Sequence, residues 1–165
     1  MANERNGHGI LYPAEYMRAI SEALVCWVGL EWMAVHCALL FDEDFTNRIR
    51  KLPVKKPGPM DGRQWTGGVI ASAFVELASG DKICPDDRLA KAARRFKELV
   101  KTRNRFFHAY PAAGATPDVA TLYHLEEGRW ELSQIQNFAD EAAICSNELN
   151  HLYYHFLRPA LVAQK

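Results

Sequence analysis

From Pro13 to Phe41 apolar residues recur at intervals of three and four, and this run limits the fold more than any other stretch of the chain. Pro13 suits a first helical turn, because proline brings a fixed φ and lacks only an N–H that would have no helical partner there. The part from Ala23 to Phe41 is almost long enough to cross a bilayer, but Glu31 and His36 interrupt it. Arg18 and Glu22 also give the helix a polar side, so it reads as a core helix with no membrane role. Glu31 falls in line with Ile20, Leu24, Trp27, Ala34 and Ala38, at the centre of the apolar stripe. A carboxylate in that place is costly unless a cation meets it or it faces a polar cleft.

A chain of 165 residues with 48% hydrophobic content supports one domain with a sizeable core and is short for two. Residues 1–12 read as a loose terminus. Lys plus Arg and Asp plus Glu are both 20, so no global basic field advertises nucleic acid, and any contact with RNA must be local. Cys26, Cys37, Cys84 and Cys145 form no C-x-x-C pair, and the N-terminus carries no signal-peptide pattern. Reduced thiols in a cytoplasmic protein are the expectation.

Beyond Phe41 the helical pattern stops, and residues 42–68 read as a connector whose Lys51-to-Pro59 stretch is basic, Pro-rich and unable to be helical. It is either a phosphate-touching arm or a solvated loop. Gly67-Gly68 punctuates the chain before a helix from Val69 to Ala78. Pro85, Asp86 and Asp87 then suit the positive end of a helix running to Ala109. Pro111 stops that helix. Val119 to Leu125 and Arg129 to Leu132, around a Gly128 turn, alternate as a small hairpin, with His124 inside it. Ser133 is placed to cap a last helix from Gln134 to Leu157. The expectation is an all-α, four-helix-bundle-like domain over 1–165 with a small β-hairpin insertion before the last helix.

Two constellations carry chemistry. On the last helix Glu148-x-x-His151, followed by His155, has spacing suited to a metal. Carboxylate-bridged iron bundles need that pattern twice with two further glutamates; it occurs once, with Glu31 as one further donor, so the expectation is no metal and no cofactor. No Walker A, G-x-S-x-G, H-E-x-x-H or paired C-x-x-C pattern occurs.

The second constellation is Arg103-Asn104-Arg105-Phe106-Phe107-His108. Arg103 falls within the apolar stripe formed by Phe96, Leu99, Val100, Phe106 and Phe107, and so mirrors Glu31. Asn104 and His108 lie one turn apart on its flank, in a row with Lys97 and Lys101. On spacing alone this is either a structural arginine beside a helix-end histidine or a site presenting a cation, an amide and an imidazole together. The two opposite charges, Glu31 and Arg103, are expected to meet or to share a cleft.

Arg-Asn-x-x-x-His on a helix resembles the signature of the HEPN superfamily, small helical proteins many of which are metal-independent endoribonucleases. Arg103, His108 and Tyr110 also resemble the Arg-x4-His-x-Tyr pattern of one toxin branch, although the segment after Tyr110 departs from that branch. The resemblance implies a homodimer whose motif helices pool Arg103, Asn104 and His108 in one cleft, with Glu31 and Tyr110 supporting and Lys97, Lys101 and Arg105 touching RNA. It implies a toxin or defence effector, a nucleotidyltransferase-type antitoxin as partner, and Tyr110 as a modification site. A non-catalytic HEPN-like module for interaction or RNA binding is the alternative.

Overall fold

The computed structural model of the chain describes residues 12–51, 67–113 and 120–163. Helix α1 (Ala14–Phe41) starts after Pro13 and is the spine of the molecule. Its core side carries Tyr16, Ala23, Trp27, Leu30 and Ala34, and the last core helix, α5 (Leu132–Leu152), lies along it with Ile135, Phe138, Ala142, Cys145 and Leu149. Small residues let the two backbones come close; a Cβ added to Gly29 would already touch Ser146 Oγ at 3.8 Å. Helix α3 (Gly67–Ser79) covers α4 (Arg88–Phe107), and α4 in turn packs on α5. Each large side chain buried this way, such as Trp27, Phe74 or Phe96, contributes about 1.5–3 kcal/mol through removal of apolar surface from water.

Five expectations are corrected in detail. The connector is not wholly irregular: α2 (Phe45–Lys51) occupies its start, because Phe45 and Ile49, one turn apart, both reach the core. Residues 52–66, which hold most of the Pro-rich stretch, lie outside the described residues, as does the N-terminal segment through residue 11. Pro85–Asp87 is a 3-10 turn rather than the first turn of α4, with Asp86 and Asp87 at φ 55° and 53°. That left-handed conformation, which aspartate tolerates better than most residues, swings the chain onto the axis of α4.

The insertion is a three-stranded antiparallel sheet, not a two-stranded hairpin. Strand β1 (Tyr110–Ala113) pairs with β2 (Ala120–His124), which pairs with β3 (Gly128–Arg129). Pro111 hid β1 in the sequence, yet a proline is tolerated on an edge strand. Gly128 makes the β2–β3 turn possible at φ 81°. The sheet is tied to α1 by Tyr16, whose hydroxyl donates to the Trp130 carbonyl (2.7 Å) and accepts from the Leu122 N–H (2.9 Å).

The cap of α5 is Glu131, not Ser133: Gln134 Oε1 reaches back to accept the Glu131 backbone N–H at 2.7 Å, one half of a capping box. At the other end α5 widens into a π-helical segment, Tyr153–Leu157, and continues as α6 (Arg158–Val162), where Pro159 sits in the first turn and so does not end the chain's helical course.

Candidate functional site

The last two turns of α4 distribute the motif over three sides of the helix. Arg103 and Phe107, one turn apart, face α1. Asn104 and His108 stand on the exposed flank, in line with Lys97 and Lys101. Arg105, roughly 200° around the helix from Arg103, faces the sheet.

Arg103 is half-buried and held by rings. Its guanidinium lies 4.2 Å from the Phe107 ring centroid and 5.9 Å from that of Trp27, and its Nη1 donates to Asn104 Oδ1 at 3.1 Å. Its Nε is buried without a hydrogen-bond partner. Such an orphan donor costs about 1–3 kcal/mol, which the cation–π contacts partly offset. The arginine is therefore positioned at some cost to stability, with the end of its side chain tethered to the amide that precedes His108 by one turn.

Glu31 lies close to this cluster but does not pair with it. Burial pushes its carboxyl above the ordinary carboxylate range; the Arg103 guanidinium works against that shift, and so, more weakly, does the Trp27 indole. Among the described residues no contact of ion-pair length joins Glu31 to Arg103, and Trp27 Nε1 falls short of hydrogen-bond geometry. Nor is Glu31 central on the buried face, as its spacing suggested. It sits on the edge, between the core residues and a second apolar stripe of α1 that is exposed: Leu24, Val28 (62% exposed) and Trp32 (55%). Phe107, expected in the core stripe, is likewise 41% exposed.

His108 closes α4 as its C-cap. Its backbone N–H bonds to the Asn104 carbonyl at 3.0 Å, and its imidazole is exposed with no side-chain partner among the described residues. Lys97 and Lys101 are exposed along the same row, Lys101 in an ion pair with Glu98 at 2.6 Å. Arg103, Asn104 and His108 are thus brought to one end of one helix. Arg105 is separated from them: it is ion-paired with Glu127 of the β2–β3 turn and reaches Thr102 Oγ1 at 3.4 Å. Together with Arg129, Trp130 and Asn137 it lines a cavity of about 300 Å³ between α4, the sheet and α5. Tyr110 heads β1, where its exposed ring leans on Tyr123, its cross-strand neighbour, at 5.7 Å. His124 sits at the end of β2, its Nδ1 3.4 Å from the Glu126 amide nitrogen.

Three contributors escaped sequence reading. Trp27 and Phe107 form the walls around Arg103, a role that their four-residue spacings from Glu31 and Arg103 hint at. Gly67, read as punctuation, opens α3 directly against the cluster: a Cβ there would stand 3.2 Å from Glu31 Oε1 and 3.3 Å from Trp27 Cζ2.

On α5, Glu148 is engaged by Arg88 Nη2 at 2.8 Å, away from a metal-ligand role beside His151. Among the described residues no group of three or more His, Cys, Asp or Glu side chains converges in the manner of a metal centre. The chain matches no protein-family model, no curated protein and no solved structure.

Proposed function

We propose that the chain is a homodimeric, metal-independent endoribonuclease of HEPN type, acting in the cytoplasm. The observation that carries this reading is the Arg103–Asn104 hydrogen bond at the foot of a helix that ends in an exposed His108. A guanidinium suits a phosphodiester because it stays charged and pairs bidentately with phosphate; an imidazole suits proton transfer near neutral pH. In the proposed reaction a ribose 2′-hydroxyl attacks the adjacent phosphorus. One copy of His108 takes the hydroxyl proton, the other returns a proton to the departing 5′-oxygen, and Arg103 stabilises charge growing on the phosphoryl oxygens. The products are a 2′,3′-cyclic phosphate and a 5′-hydroxyl, so atoms and protons balance without a metal. Lys97 and Lys101 extend the row along which RNA would lie.

A C2 pairing delivers both histidines to one cleft. The exposed α1 stripe of Leu24, Val28 and Trp32, beside the Arg103 cluster and the exposed Phe107, supplies apolar surface for that pairing. The alternative, a non-catalytic HEPN-like binding module, is favoured by one observation: two of the motif's cations, Arg105 and Lys101, are already held in ion pairs.

Sedimentation separates the possibilities. The expected result is a dimer at tens of micromolar, with Val28→Glu giving a folded monomer that no longer cleaves a mixed RNA substrate. Wild-type chain that is monomeric and still cleaves would remove the composite site, and a dimer that never cleaves RNA would support the binding module.

A further inference from the structure

The end of α5 and the π-helical segment that follows it hold two histidines that the proposed nuclease does not use. His151 and His155 are one turn apart, both are exposed, and their ring centroids lie 4.5 Å apart with 37° between the planes. The junction is unusual: His151 belongs to the regular helix, whereas His155 lies within the π-helical segment Tyr153–Leu157. Short π segments are rare, cost hydrogen-bond geometry and recur at functional sites.

The neighbours fix one ring and leave the outer side open. Phe156 meets His151 edge to face at 5.8 Å, and the Arg88 guanidinium lies 6.0 Å from the other partner, the Phe156 ring. Arg88 also holds Glu148, so the carboxylate three residues before His151 is not a third donor. What remains is a pair of imidazoles presented to solvent from adjacent turns of one rigid helix. Two charged imidazolium rings at this separation repel each other, whereas two neutral rings offer nitrogen lone pairs in reach of one ion.

We propose that His151 and His155 form a two-nitrogen chelate for a divalent transition-metal ion, with water in the remaining positions. Imidazole donors select Zn²⁺, Ni²⁺, Co²⁺ or Cu²⁺ over the oxygen-seeking Mg²⁺ and Ca²⁺, and affinity should follow the usual rise toward Cu²⁺. Because both donors are borne by one helix, binding of the second is intramolecular, which raises affinity by about 10²-fold or more over a single imidazole. The site lies on α5 and its π extension, not on α4, so the ion has no part in RNA cleavage.

Isothermal titration of the untagged full chain with Ni²⁺ and Zn²⁺ in a non-coordinating buffer tests this. The expected result is one ion per chain, with His151→Ala and His155→Ala each weakening binding about 10²-fold, to the level of a single imidazole, and the double variant weaker still. Zn²⁺ should raise the melting temperature of wild type and of neither single variant, since an ion that binds only the folded chelate stabilises it. Both histidines are exposed, so these variants fold. Wild type that binds neither ion, or single variants that each retain half of the binding or all of it, would overturn the proposal. The nuclease reading is unaffected by either result, because its assay is run in chelator.

Discussion

Arg103 holds its guanidinium 4.2 Å from the centroid of Phe107, the residue one turn further along α4. The ring is 41% exposed, so its main role is to position the cation rather than to fill the core. Phe107→Leu keeps apolar bulk but removes the π face. It should lower stability by about 0.5–1 kcal/mol in urea unfolding, the usual size of a partly exposed cation–π contact, and reduce RNA cleavage by a larger factor than that energy implies. Cleavage equal to wild type would show that Phe107 does not position Arg103.

The state of Glu31 predicts a pH dependence with a definite sign. Its folded-state carboxyl titrates above the ordinary range, chiefly through burial. As pH rises the unfolded chain therefore loses this proton first, the folded chain binds more protons in the window above the ordinary value of about 4.3, and stability falls with pH there. Glu31→Gln removes this dependence. The stability of the variant relative to wild type should thus grow from acidic to neutral pH in paired urea titrations. A wild type that gains on the variant as pH rises would instead mark a strong direct ion pair with Arg103.

Thiol chemistry should be muted. Burial pushes Cys37 and Cys84 up to about 12 and Cys145 up to about 11, so almost no thiolate exists at neutral pH. Iodoacetamide at pH 7.5 should modify Cys37, Cys84 and Cys145 only after denaturation, with Cys26 the first to react in the native chain. Mass spectrometry of the intact protein counts the additions.

Periodicity was enough to place all four main helices, because each buries a stripe that repeats at three and four residues. It also picked out Glu31 and Arg103 as charges set among apolar neighbours. Their depth was not legible: both sit at the edge of a buried face, and whether a stripe is covered depends on which helix lies opposite, which no single helix encodes. The exposed Leu24, Val28 and Trp32 look the same in sequence as the buried Ala23, Trp27 and Leu30. Strand β1 was hidden for a related reason, since its partner β2 begins only at Ala120 and Pro111 signals only that α4 has ended. Gly67 was unreadable because its meaning is a close approach to Glu31 and Trp27, residues far away in the chain.

The central claim is that Arg103 and His108 do chemistry on RNA. It is tested most directly by assaying Arg103→Ala and His108→Ala beside wild type, in saturating chelator, on a mixed RNA substrate, with melting and sedimentation of the same samples. His108 is exposed, so its loss should leave stability within about 0.5 kcal/mol of wild type. Each variant should remain dimeric and lose about 10²–10⁴ in cleavage, the usual worth of acid–base help or of stabilising developing charge. Folded, dimeric variants that cleave as fast as wild type, or wild-type cleavage that chelator abolishes, would contradict the account.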